Sequence, residues 1–140
     1  MTVAVDFDGV VHGYSRGWAD GTIYDPPLPG AIDALHLLMD EHPVFIFTTR
    51  EPEQVRAWLA EYGFDATTDE RCSHCSRRGD SGNPADCSYC KGSGLLTFWN
   101  PRGQLLVTNR KLAAEVYIDD RALHFQNWDQ ALLELGRRGI

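Results

Sequence analysis

Two sets of side chains in this chain of 140 residues are spaced for chemistry. The first is Asp6-Phe7-Asp8-Gly9-Val10, two carboxylates one residue apart, directly behind the apolar run Val3-Ala4-Val5. A strand ending there carries Asp6 at its tip, on the carboxyl edge where open α/β sheets bind ligands. Gly9 permits a sharp turn, so Asp8 faces the same small volume as Asp6 instead of the opposite side of the sheet. Carboxylates held that close repel and raise each other's pKa unless a cation lies between them, and hard oxygen ligands suit Mg²⁺. Asp-x-Asp behind a strand also serves as a plain loop start, because Asp favours turns and helix caps. The rest of the chain decides between the two readings.

The second set is the cysteines. Cys72-Ser73-His74-Cys75 and Cys87-Ser88-Tyr89-Cys90 form two CxxC turns separated by eleven residues and account for all four cysteines. Each turn lets two thiolates share one ion, and two turns complete a tetrahedral Cys₄ zinc site. The alternatives are disulfides or free thiols; the symmetric knuckles and a reducing compartment favour zinc. A redox role is weaker, since neither CxxC opens a helix after a strand. His74 is a substitute ligand by type, but inside the knuckle it reads as a solvated side chain. Arg77-Arg78-Gly79-Asp80-Ser81-Gly82-Asn83-Pro84, between the knuckles, is too polar to pack unaided, and zinc supplies the missing core. Leu95 to Trp99 and Gln104 to Thr108 flank Asn100-Pro101-Arg102-Gly103, the pattern of a hairpin in a zinc ribbon. Residues 70–106 therefore read as a zinc-bound insert.

The elements that must position the acids alternate. Ala31, Ile32, Leu35, Leu38 and Met39 recur at helical spacing after Pro29-Gly30, in a helix that should stop before His42-Pro43. Val44-Phe45-Ile46-Phe47 reads as a strand buried on both faces, ending in Thr48-Thr49-Arg50. Pro52 opens a helix with Val55, Trp58, Leu59 and Tyr62 on its apolar side, closed by Gly63. Val116-Tyr117-Ile118 is a third strand ending in Asp119-Asp120, and a last helix from about Asn127 carries Trp128, Ala131, Leu132 and Leu135. Strands alternating with helices imply a parallel α/β sheet with crossover connections. Asp6 and Asp8, Thr48 and Thr49, and Asp119 and Asp120 then meet at one edge, as metal ligands and hydrogen-bond donors for an oxyanion. Arg50 reads as a substrate contact or a partner of Glu51 or Glu53, and Phe125 as core.

A net charge of −7 argues against a general nucleic-acid binder. The charge is uneven: residues 71–102 hold five basic side chains against Asp80 and Asp86, a balance of +3, and the remainder carries −10. Four thiolates on zinc would leave the insert near +1, so support for nucleic acid there is slight. No apolar run approaches the roughly 20 residues that span a bilayer, and Met1 to Asp6 lacks the basic start of a signal peptide. A cytoplasmic protein without membrane contact is expected.

Asp-Phe-Asp-Gly-Val at the end of the first strand, Phe-Thr-Thr at the end of the second, a Lys ahead of the last strand and Ile-Asp-Asp at its end together resemble the haloacid dehalogenase superfamily of phosphotransferases. The likeness covers residues 1–69 and 105–140, and implies a Rossmannoid three-layer α/β/α core with residues 70–106 as a cap-like insert. It implies that Asp6 is a nucleophile forming an aspartyl-phosphate and Asp8 the general acid and base. Thr48 would hydrogen-bond the phosphoryl oxygens, and Lys111, rather than its neighbour Arg110, would neutralise charge. Asp6, Asp119, Asp120 and the backbone carbonyl of Asp8 would hold Mg²⁺. The family carries a flap after its first motif, which makes the excursion at 12–29, turning at Ala19-Asp20-Gly21, a substrate lid. Tyr14, Arg16 and Trp18 are its candidate contacts with Thr49 nearby, although Trp18 also reads as cover for apolar surface. The expectation is a Mg²⁺-dependent phosphatase for a small phosphomonoester, with nucleotides or nucleic-acid ends as candidate substrates. Two alternatives stand: a zinc-ribbon module binding nucleic acid or protein on a catalytically idle fold, and a phosphotransferase to an acceptor other than water.

Overall fold

The structure is a computed structural model that describes residues 1–74, 87–90, 92–96 and 103–140. Five strands form one parallel sheet: β1 (Val3–Asp6), β2 (Val44–Phe47), β3 (Asp65–Thr68), β6 (Gln104–Thr108) and β7 (Val116–Ile118), in the spatial order β3-β6-β2-β1-β7. Two short strands, β4 (Glu70–Arg71) and β5 (Leu95–Leu96), pair antiparallel outside it. The helices among the described residues are α1 (Ala31–Glu41), α2 (Pro52–Glu61) and α3 (Trp128–Arg137). The arrangement is α/β and compatible with a Rossmann-like fold, and none of these helices is long and apolar enough to cross a membrane.

Alternation along the strands divides the core into two faces. Val3, Val5, Val44, Ile46, Leu105 and Val107 point to one side, where Leu35 and Met39 of α1 and Val55 and Leu59 of α2 close over them. Ala4, Phe45 and Leu106 point to the other, where Leu112, Ala114 and Tyr117 cover them. The expected outer layer is thin there. The one buried side chain of α3 is Ala131, and Trp128, Leu132 and Leu133 stay exposed. Phe125, expected in the core, is also exposed and packs edge-on against Trp128.

Helix boundaries fall where the local chemistry puts them. His42, in extended conformation, ends α1 just ahead of Pro43; Pro52 opens α2; and the Asn127 side chain caps α3 by accepting the Gln130 N–H at 2.9 Å. The expected ribbon hairpin is not what forms. Gln104–Thr108 lies inside the parallel sheet between β3 and β2, and Leu95–Leu96 pairs with Glu70–Arg71. The physical reason is burial, since Leu105, Leu106 and Val107 are each at most 2% exposed in the sheet, a gain that a two-stranded ribbon cannot offer. Cys75, the 77–84 stretch and residues 97–102 lie outside the described residues.

Candidate active site and metal clusters

Register brings the strand tips together. Asp6 pairs with Phe47 across β1 and β2, and Val5 with Ile118 across β1 and β7, so Asp6, Thr48 and Asp119 leave the sheet side by side. Each connection is then tied down. The amides of Val11 and His12 both donate to the Phe7 carbonyl at 2.9 Å, folding the chain sharply behind Asp6. The Thr48 N–H donates to the Thr108 carbonyl at 3.0 Å, and Asn109 Nδ2 donates to the carbonyls of Thr48 (2.6 Å) and Arg50 (2.8 Å). Asp119 Oδ1 accepts the N–H groups of Arg121 and Ala122, which fixes the turn after β7.

One carboxylate oxygen each from Asp6, Asp119 and Asp120 lies within 4.8 Å of the others. Asp6 is half-buried, and its carboxyl is pushed up to about 6 from 3.8, first by loss of water and further by Asp119, Asp120 and Asp8; the Phe7 N–H at 2.7 Å partly opposes this. Gly9 makes the cluster sterically possible. Its φ of +82° is a left-handed conformation, and a Cβ there would sit 2.3 Å from Asp120 Oδ2. Gly9→Ala should therefore cost about 1–2 kcal/mol in backbone strain and push Asp120 out of the cluster. Chemical denaturation and a divalent-cation titration would check this, and unchanged cation affinity would refute the close approach.

Asp8 is placed differently from the other acids. Its carboxylate oxygens accept Arg50 Nε at 2.9 and 2.8 Å, and Oδ1 also meets His12 Nδ1 at 2.8 Å. The Asp25 N–H donates to His12 Nε2 at 3.0 Å, so the proton of the neutral ring sits on Nδ1 and is donated to Asp8. His12 and Arg50 are fully and almost fully buried. Arg50 Nη1 continues to the Gly21 carbonyl at 2.7 Å, joining Asp8 to the excursion. That excursion is a loop closed by single bridges, Asp8 to His12 and His12 to Pro27, not a laddered hairpin.

A cavity of about 210 Å³ opens over the acids. Asp6, Asp8 and Asp119 line it with the side chains of Thr48 and Thr49, the rings of Tyr14, Trp18 and Phe47, and Arg121. Arg121 bonds the Tyr14 side chain and is held more firmly protonated by it and by Asp120. Two expected cations lie off this wall: Arg16 is turned onto the Tyr24 ring at 4.1 Å, and the Lys111 ammonium sits 5.2 Å from the Tyr117 ring centre. Arg110, its neighbour, pairs with Asp69 at 2.5 Å. A second cavity, of about 240 Å³, shares none of these residues; His36 in its wall stacks on Phe64, which leaves the carboxylate cavity as the place where reactive groups converge.

Spacing does not single out His12, Asn109 or Arg121 as parts of the site, and it offers Arg50 only as a substrate contact or a partner of Glu51 or Glu53. The one signal in the sequence was the position of His12 four residues after Asp8 and of Arg50 two after Thr48.

Away from this edge, Cys72, Cys87 and Cys90 are buried together with their sulfurs within 4.8 Å, a cluster able to hold a metal ion such as zinc. Cys72 Sγ and Cys87 Sγ are 3.7 Å apart. A disulfide requires about 2.05 Å, whereas two thiolates on a tetrahedral zinc at about 2.3 Å lie about 3.8 Å apart. The Cys72 N–H donates to the Gly94 carbonyl at 2.9 Å, so the β4–β5 pairing sets the first sulfur against the second turn. No protein-family model, no curated protein and no solved structure matches the chain.

Proposed function

We propose that the chain is a Mg²⁺-dependent phosphatase that cleaves a phosphomonoester through an aspartyl-phosphate on Asp6, as its resemblance to the haloacid dehalogenase superfamily implies. The observation that supports this best is the half-buried Asp6, its carboxyl pushed up to about 6, facing Asp119 and Asp120 beside a cavity walled by threonine side chains. Acids crowded at the tip of a parallel sheet destabilise the metal-free fold, and a hard divalent cation removes that repulsion. The donor set fits Mg²⁺, with Asp6, Asp119, Asp120 and the Asp8 carbonyl as its ligands. When bound, the ion neutralises charge on the phosphoryl group.

The remaining steps belong to the chain's own groups. An Asp6 oxygen attacks phosphorus, the bond to the leaving oxygen breaks, and Asp8, a carboxylate at rest, passes to that oxygen the proton it takes from the monoanionic ester. Asp8 then takes a proton from water, whose oxygen attacks the phosphorus of the aspartyl-phosphate and releases phosphate and free Asp6. Arg50 and His12 hold Asp8 in position for both transfers. The buried Thr48 Oγ1 already accepts the Arg50 N–H at 3.1 Å, so its own hydroxyl hydrogen is available to a phosphoryl oxygen. Arg121 supplies the positive side chain of the cavity wall, while Lys111, turned onto Tyr117, does not line it.

Turnover of p-nitrophenyl phosphate tests the reading. It should require Mg²⁺ and be lost in Asp6→Asn, by about four orders of magnitude or more, on the scale of removing a covalent nucleophile. Metal-independent turnover, or full activity in the variant, would overturn it.

We also propose that Cys75 completes the cysteine cluster as a Cys₄ zinc site. Elemental analysis should find about one zinc per chain, and Cys87→Ala should lose it while Asp6→Asn keeps it. Zinc-free protein from a metal-replete preparation would remove the claim.

A further inference from the structure

Trp18 is 53% exposed at the mouth of the carboxylate cavity, although an indole ordinarily hides most of its surface. One side of the ring is already taken. The Arg50 guanidinium lies 4.8 Å from its centroid, and Arg50 is itself fixed by Asp8 and the Gly21 carbonyl. The indole is thus mounted on a buried cation with its remaining surface turned outward. Its backbone is tied as well: the Gly21 N–H donates to the Trp18 carbonyl at 2.8 Å, and the Tyr24 hydroxyl donates to the Gly17 carbonyl at 2.7 Å. Tyr14 forms a second aromatic wall, held by Arg121. Rings fixed before binding lose little entropy when a ligand stacks on them.

The cavity's 210 Å³ suits a phosphoryl group and its counter-ion, not a large leaving group, so that group must rest at the mouth. There the open indole surface suits a flat aromatic ring. Between the carboxylates and the rings the wall presents Thr49 and the exposed guanidinium of Arg121, which suit a hydroxyl-bearing linker between phosphate and ring. A phosphotyrosine has no polar atoms in that interval.

We propose that the leaving group is a nucleoside, its base stacked on Trp18 and its sugar facing Thr49 and Arg121. This rests on the phosphatase reading above. Base stacking on an aromatic side chain corresponds to roughly 5- to 150-fold in binding. In Mg²⁺-loaded protein, kcat/KM for adenosine monophosphate should exceed that for glycerol phosphate by about that factor. Trp18→Leu should remove most of the preference and Trp18→Phe should keep it. Equal efficiency on the two esters, an equal loss on both in Trp18→Leu, or a preference for a phosphotyrosine peptide would each overturn the proposal while leaving the phosphatase reading intact. Calorimetric binding of adenosine monophosphate to Asp6→Asn gives a readout independent of turnover. If Trp18→Leu weakens that binding while the wild type itself turns over no ester, the stacking site stands and the phosphatase reading falls.

Discussion

Asp6→Asn should make the metal-free protein more stable at pH 7 by about 1–2 kcal/mol while removing its turnover. The cause is the environment of Asp6, whose carboxyl is pushed up to about 6 from 3.8, mainly by burial. Between those values the native state holds a proton that the unfolded chain releases. Stability from this group is therefore complete below about pH 4, declines as the pH rises through 6, and is absent at pH 7. The rise from 3.8 to about 6 corresponds to about 3 kcal/mol, reduced here because the carboxylate is only half-buried and keeps part of its hydration. Asn has no charge to desolvate and cannot repel Asp119 or Asp120. Urea unfolding of wild type and variant from pH 4 to 8, without divalent metal, should give curves that diverge upward from about pH 4. Mg²⁺ should recover most of the wild-type deficit at pH 7 and less of the variant's. A variant as pH-sensitive as wild type would show that Asp6 is not the strained group.

Such a trade between stability and activity is expected where function requires like charges at one point. It also explains which parts of the site were legible in the sequence. Asp6, Thr48 and Asp119 could be placed because each follows a strongly apolar run, and parallel pairing sends all such tips to one edge. Gly9 was legible as a turn; only the structure shows that it is also the space occupied by Asp120.

What the sequence concealed depends on contacts between distant residues. Asp65-Ala66-Thr67-Thr68 has no apolar run, and becomes an edge strand only because β6 offers it a ladder. β6 itself reads as half of a hairpin, because Asn100-Pro101-Arg102-Gly103 carries turn chemistry between two apolar stretches. Its register with Phe45 to Phe47 decides otherwise, and that register is invisible locally. In the site, the local reading of Arg50 as a partner for Glu51 or Glu53 fails for a similar reason. The guanidinium reaches Asp8, 42 residues earlier in the chain, where burial makes the pairing worth far more than a solvated contact within one helix.

Arg50→Met should therefore be among the most damaging single changes, costing about 3 kcal/mol. Both Asp8 oxygens lose their cation, and Asp8 has a side chain only 15% exposed, so its charge is left with His12 alone. The Gly21 carbonyl loses its bond to Nη1 and keeps the one from Gln54 at 3.1 Å; the Trp18 ring loses its backing. Met matches the length of the stem, so the deficit reports charge and hydrogen bonding more than a cavity. Arg50→Lys should rescue little, since one ammonium cannot span both carboxylate oxygens and reach Gly21. If the unpaired Asp8 is what destabilises the single variant, Asp8→Asn combined with Arg50→Met should be more stable than Arg50→Met alone, with a coupling of about 2 kcal/mol in a double-mutant cycle. Trypsin should also cleave faster after the exposed Arg16, because of the two bonds to the Gly21 carbonyl only the one from Gln54 remains. A loss under about 1 kcal/mol, with unchanged cleavage, would mean that the Asp8–Arg50 pair neither holds the fold nor fastens the loop to the acids.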